Sequence, residues 1–289
     1  MGILDGKVAV ITGSSKGLGF AIAEAYAHEG ASVVVAARTK SAVDESVKAL
    51  QDKGYKASGT TCDVGDYDQV KALADYAVKT FGKIDIWVNN AGVAGVYGPT
   101  AHIPRERIER VIRTNINGTY YGSIVALEHF LPQKSGKLIN LLGRGDDKPV
   151  KFQNAYAPSK FWVRSFTMGL AQEYKDDGIG IYAFNPGLVD TDMLRQVDAL
   201  QGYEKKLKPL STVIRLWANA PDVPAARALW LASSATDGKT GIMTSVLGRK
   251  QIISGLLREV GRRFRRDAGP DTSLNVTSVV PSMPLPPAK

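Results

Sequence analysis

The stretch Val8-Ala9-Val10-Ile11-Thr12-Gly13-Ser14-Ser15-Lys16-Gly17-Leu18-Gly19 decides the fold. A β-branched apolar run that ends in a glycine-rich turn and leads into a helical pattern reads as a strand–turn–helix unit. Glycines at 13, 17 and 19 permit close backbone approach to a ligand. The helix amino terminus behind them offers unpaired N–H groups and a positive dipole end to a pyrophosphate. The spacing differs from the usual dinucleotide fingerprint, which has two glycines first.

Working outward, β-branched apolar runs alternate with longer stretches of helical period, the pattern of repeated βα units around a parallel sheet. Strands are predicted over 8–12, 32–36, 57–62, 84–89, 137–142 and 180–185, and helices over 18–29, 41–53, 67–81, 105–130 and 157–175. Pro104 before the fourth helix, and Gly30, Gly54 and Gly82 after the first three, are helix punctuation. The near-continuous hydrophobicity of the strands requires helices on both faces. The fold class is α/β, a doubly wound parallel sheet of Rossmann type, in a single domain over 1–245. The less regular segment 192–220 suits a substrate lid. Residues 246–266 contain a basic helix candidate, 252–266, and 267–289 are expected to be a disordered tail.

The chain of 289 residues carries 37 Lys and Arg against 28 Asp and Glu. Much of the excess sits at Arg249-Lys250 and between Arg258 and Arg266, and a local basic segment argues less for nucleic acid than a basic face on the main domain would. No zinc-finger spacing occurs, and the three histidines are too scattered for a metal site. No apolar run approaches the roughly 20 residues that span a bilayer. The amino-terminal residues lack the basic and apolar blocks of a signal peptide, so a cytoplasmic location is expected. The single cysteine, Cys62, cannot form an internal disulfide.

Three further elements follow the glycine turn. Asn89-Asn90-Ala91-Gly92 ends the fourth strand, Tyr156-x-x-x-Lys160 begins a helix, and Asn185-Pro186-Gly187 ends the sixth strand, with Val189 and Thr191 beyond it. Together with Thr12-Gly13-x-x-x-Gly17-x-Gly19, in this order over roughly residues 5–241, they resemble the short-chain dehydrogenase/reductase family. The resemblance implies a nicotinamide dinucleotide held by Gly13, Ser15, Lys16, Gly17, Leu18, Gly19, Asn90, Ala91, Gly92, Tyr156, Lys160, Pro186, Gly187, Val189 and Thr191. It also implies that Asp63 accepts a hydrogen bond from adenine, with Val64 beside the ring.

Charge chooses between cofactors, because a carboxylate at the end of the second strand would accept from a ribose 2′-hydroxyl but repel a 2′-phosphate. That end reads Val35-Ala36-Ala37-Arg38. Arg38 can clasp a phosphate in a bidentate fashion, and Lys16 adds a second cation, so NADP(H) is predicted.

Reducing a carbonyl by hydride delivery needs a proton donor at the carbonyl oxygen, and the reverse reaction needs a base there. Tyr156 has the family's position. A free tyrosine titrates near pH 10, so a neighbouring cation is needed, and Lys160 lies one helical turn later on the same face. By resemblance Lys160 also holds the nicotinamide ribose, and Asn115 supports a water relay to the lysine. The family's serine, 13 residues before the tyrosine, is replaced by Gly143, and no serine or threonine occurs over 136–155. Candidates for its task of holding the substrate oxygen are Arg144, Gln153, Asn154, backbone N–H groups at Gly143 or Gly145, an ordered water, or the substrate's own hydroxyl.

The reading is an NADPH-dependent carbonyl reductase or alcohol dehydrogenase acting on a small molecule. Gly143, Arg144 and Gln153 are its candidate substrate-binding residues. The resemblance implies a homodimer or homotetramer built on the 105–130 and 157–175 helices. Two other readings stay open: an NADP(H)-binding sensor or scaffold with impaired catalysis, and a reductase attached to a membrane through its basic helix.

Overall fold

A computed structural model describes residues 2–248, Gly255, Leu257, Glu259 and 272–285. The strands are β1 (Val8–Thr12), β2 (Ser32–Ala37), β3 (Ala57–Thr61), β4 (Ile86–Asn89), β5 (Val96–Tyr97), β6 (Gly136–Leu141), β7 (Ile179–Asn185), β8 (Gln196–Leu200), β9 (Ile242–Ser245) and β10 (Asn275–Val279). The helices are α1 (Gly17–His28), α2 (Lys40–Gln51), α3 (Tyr67–Phe81), α4 (Arg105–Val111), α5 (Gly118–Gln133), α6 (Tyr156–Glu173), the single turn α7 (Asp192–Arg195), α8 (Lys208–Trp217) and α9 (Asp222–Ala232).

Seven strands form a wholly parallel sheet in the order β3-β2-β1-β4-β6-β7-β9. Alternate residues of β1 show why both faces are apolar. Ala9 and Ile11 pack with Ile22, Ala23, Tyr26, Ala228 and Leu231 of α1 and α9, whereas Val10 packs with the set of α3, α5 and α6, including Leu73, Val125 and Phe130. The strand order reverses between β1 and β4, and the crevice there opens at the carboxyl ends of the strands.

The doubly wound expectation holds, and three details of it are corrected. The predicted 105–130 helix is interrupted by a π-helical segment, Ile112–Asn117, between α4 and α5. A seventh strand, outside the predicted set, exists as β9; it is a short edge strand of alternating half-buried and exposed residues, so its pattern is weak.

The third correction concerns the tail. Residues 275–279, expected to be disordered, form β10, which pairs in parallel with β8; β8 pairs in turn with β5. Five ladder partners and a small core of Val96, Ile103, Leu200 and Val279 hold this second sheet together. Its middle strand lies inside the segment read as a lid. The basic helix candidate 252–266 lies outside the described residues, except for Gly255, Leu257 and Glu259, which are helical. Gly255 lies against the Leu216 carbonyl at the end of α8, and Glu259 pairs with Arg215 at 3.3 Å. Among the described residues no helix is long and apolar enough to cross a membrane, and no group of metal-ligating side chains occurs.

Candidate active site

The glycine turn is held from behind by polar side chains. Ser14 Oγ donates to the Ile11 carbonyl and accepts from Ala36 N–H, tying the turn to β2. Asn90 Nδ2 donates to the carbonyls of Thr12 and Gly13 at 2.9 and 3.0 Å, and the Thr12 hydroxyl accepts from the N–H groups of Asn90 and Ala91. Glycine is required here. A Cβ at Gly19 would stand 2.4 Å from both Asn90 Nδ2 and the Gly13 carbonyl oxygen. Gly13, at φ 64°, would push one into the Ala91 backbone. Among the described residues no side chain caps α1, and no acid stands in its first turn, which suits its amino-terminal N–H groups to an anion.

Gly13, Ser15, Lys16, Gly17, Leu18, Gly19, Arg38, Asp63, Val64, Asn90, Ala91, Gly92, Gly143, Arg144, Gln153, Tyr156, Lys160, Pro186, Gly187, Val189 and Thr191 all line one cavity of about 1040 Å³. The structure thus brings together every predicted cofactor residue and the substrate candidates Gly143, Arg144 and Gln153, whereas Gly145 and Asn154, which donates to Thr100 Oγ1 at 2.8 Å, do not line it. Asn115 stands apart: it is fully buried, accepts from Val93 N–H, and donates to the Val93 carbonyl and to Ser159 Oγ. It sits in the π-helical segment, a distortion that often marks functional sites. A Cβ on Gly92 would be 3.4 Å from Asn115 Oδ1 and 3.8 Å from Lys160 Nζ, so both groups border the same small space.

The two cations predicted beside a 2′-phosphate differ. Lys16 Nζ donates to Asp192 of α7 at 2.7 Å, an exposed pair that joins the glycine turn to the lid. Arg38 is exposed and makes no ion pair among the described residues. Asp63 is likewise engaged, accepting from Arg113 Nη2 at 2.9 Å and from Gly65 N–H.

Tyr156 opens α6, and Lys160 follows on the same face, buried, with Nζ donating to the Leu141 carbonyl at 2.8 Å and standing 5.9 Å from the tyrosine ring centre. Gly143 lies directly against the phenol: a Cβ there would be 2.3 Å from Tyr156 Oη. A side chain at 143 and the tyrosine hydroxyl cannot both occupy these places. Burial pushes the Tyr156 hydroxyl up to about 12, with the Asp146 carboxylate adding to the rise. Burial lowers Lys160 to about 8, against the Asp146 charge, which favours the ammonium form. Burial dominates both groups, because a phenolate and an ammonium would each be poorly hydrated there.

Comparison with known proteins agrees with this geometry. Residues 7–202 match the short chain dehydrogenase family. The chain belongs to that family. The short-chain dehydrogenase described here is 37% identical over 257 residues to 3beta-hydroxysteroid dehydrogenase 1 of Eggerthella lenta, covering 87% of this chain and 96% of that one. It superposes on an actinorhodin polyketide ketoreductase with NADPH at a TM-score of 0.77 and 27% identity, covering 86% of this chain and 98% of the other. A 3-ketoacyl-(acyl-carrier-protein) reductase from Brucella melitensis complexed with NADH gives 0.76 and 28%, covering 86% and 100%. The chain is therefore an oxidoreductase of carbonyl and alcohol groups that uses a nicotinamide dinucleotide.

Several residues in or beside this dehydrogenase's cleft have no motif to announce them. Gln153 lines the cavity with a buried Oε1 that has no hydrogen-bond partner among the described residues. Phe152, at φ 68°, is wedged edge-on between Tyr97 of β5 and Tyr203. Asp146 stands behind Gly143 and interacts with both members of the Tyr156–Lys160 pair. Only its position three residues after the vacant serine could have drawn attention to it.

Proposed function

We propose that the chain is an NADPH-dependent carbonyl reductase, running in reverse as an alcohol dehydrogenase, with Tyr156 as the proton donor to the substrate oxygen. The observation that carries this reading is the meeting of the Tyr156–Lys160 pair and the glycine turn in a single cavity at the sheet's switch point. The glycine turn and the amino terminus of α1 suit the pyrophosphate, Asp63 and Val64 the adenine, and Pro186, Gly187, Val189 and Thr191 the nicotinamide end. When bound, the nicotinamide supplies the hydride. Arg38, uncommitted beside the uncharged Ala37, is the group we assign to the 2′-phosphate, with Lys16 able to join it by leaving Asp192.

The chain's own residues handle the proton. A phenol raised to about 12 is protonated near neutrality but is a weak acid, so its donation to the substrate oxygen depends on a cation that stabilises the phenolate as it forms. Lys160 lies where its ammonium can stabilise the developing phenolate, and Asn115 pins the loop after β4 to α6 through Val93 and Ser159. In place of serine we assign the Gln153 amide, whose unpartnered Oε1 can accept from a substrate hydroxyl and faces a cost of about 1–3 kcal/mol until such a donor arrives, while its Nε2 is the group able to donate to a carbonyl oxygen. Ile112, Tyr120 and Phe161, large side chains exposed by 43, 44 and 53% on the π-segment, α5 and α6, support a homodimer or homotetramer through that face.

The test is a cofactor-consumption screen over ketones, aldehydes and secondary alcohols. NADPH should be consumed with at least one carbonyl class and faster than NADH, and Arg38→Ala should narrow that difference. Tight NADPH binding without turnover of any carbonyl or alcohol would favour a sensor instead. Equal use of NADH would remove the assignment of Arg38.

A further inference from the structure

The turn over 143–146 is clasped to the end of β7. Asn185 Nδ2 donates to the Gly143 carbonyl at 3.3 Å and to Asp146 Oδ2 at 3.2 Å, and Asp146 N–H donates back to the Gly143 carbonyl at 3.2 Å. From α6, Arg164 Nη1 reaches the Asp146 carbonyl at 3.4 Å. The turn also packs down on the start of α6, since a Cβ at Gly145 would meet Ala157 Cβ at 2.3 Å. The Asp146 carboxylate thus supplies one of the bonds that hold the segment seating Gly143 against the Tyr156 hydroxyl. Asp146 does not line the substrate cavity.

We propose that Asp146 is a positioning residue that clasps the turn over 143–146 to Asn185 and, as counter-charge to Lys160, poises the pair as neutral phenol and ammonium, the state that donates a proton. This rests on the reductase reading of the same site. A lysine as buried as Lys160 tends to lose its proton. A carboxylate in the same turn as Gly143, the residue that lies against both Tyr156 and Lys160, opposes that loss and at the same time disfavours the phenolate, and both effects operate here. The groups that act on Asp146 itself are Asn185 from β7, Arg164 from α6 and Asp147 in its own turn. Burial and Asp147 raise its carboxyl, while the Asn185 hydrogen bond and the Arg164 charge oppose the rise.

The sign of the test follows. Removing the negative charge makes the ammonium easier to deprotonate and the phenolate easier to form, so both titrations move to lower pH. The full-length protein carrying [13Cε]-lysine is titrated by NMR, with Lys160 assigned through Lys160→Arg. Asp146→Asn should lower the Lys160 midpoint by roughly half a pH unit or more, while Asp146→Glu, which keeps the charge, should leave it near the parent value. With a carbonyl substrate, the alkaline limb of the reduction pH profile should shift acidward by a similar amount in Asp146→Asn. If that variant does not fold, Asp146→Ser removes the same charge and should give the same shift. An unmoved Lys160 midpoint, or a uniform loss of rate at every pH, overturns the proposal and leaves a purely structural clasp. A shifted midpoint in a protein that reduces no carbonyl leaves the counter-charge role standing and removes the reductase reading instead.

Discussion

The two walls of the cleft are built differently. The cofactor wall rests on β1, β2 and β4, strands whose side chains are almost entirely buried, and its glycine turn is braced by Ser14, Thr12 and Asn90 within one to three residues of strand ends. The opposite wall is a three-stranded sheet whose β5 is two residues long, with a core of four buried side chains. Its strands come from 96–97, 196–200 and 275–279, so each pairing closes a long loop. The first wall is therefore stiff and general. The second is lightly held and depends on chain segments far apart in sequence, as suits the part of an enzyme that opens to admit substrate.

If this contrast is right, changes at the junction, on the lid and on the cofactor wall should separate in kinetics. The largest effect is expected from Tyr156→Phe. It should lower kcat by roughly 10²–10⁴-fold or more while leaving NADPH affinity nearly unchanged, measured by turnover and by fluorescence titration. Comparable loss of cofactor affinity would mean that the tyrosine belongs structurally to the first wall.

Next comes Gly143→Ser, which puts back the residue the family usually carries. Because the new Cβ would stand 2.3 Å from Tyr156 Oη, the phenol must move, and kcat should fall on the order of 10- to 100-fold rather than rise. A gain in turnover would show that the site relaxes easily and that Gly143 is a simple loss.

The smallest effect is expected from ending the chain before Thr272, which removes β10. Losing one edge of the small sheet should free the lid and raise the substrate KM about fivefold, equivalent to about 1 kcal/mol, with kcat and NADPH affinity spared. An unchanged KM would show that β8 is held by β5 and the body alone. Loss of cofactor binding would join the two walls into one unit.

Wherever structure follows from local pattern, it was legible in the sequence. The apolar runs located the five inner strands β1, β2, β4, β6 and β7 within two residues of their ends, because a strand covered on both faces must be apolar throughout, and the edge strand β3 was placed to within one residue. The glycines at 13, 17 and 19 and the Tyr156–Lys160 spacing marked the cleft, because close approach and one helical turn are constraints between near neighbours. Tertiary packing decided the rest. β9 and β10 are short and half-exposed, so only their partners β7 and β8 make them strands. The π-segment around Asn115, the diversion of Lys16 to Asp192 and the contact between Gly143 and Tyr156 each join residues that no periodicity relates. Asp146 belongs with them: an aspartate in a polar loop reads as solvated until the fold half-buries it in the turn beside the fully buried Tyr156–Lys160 pair, where its charge acts on both.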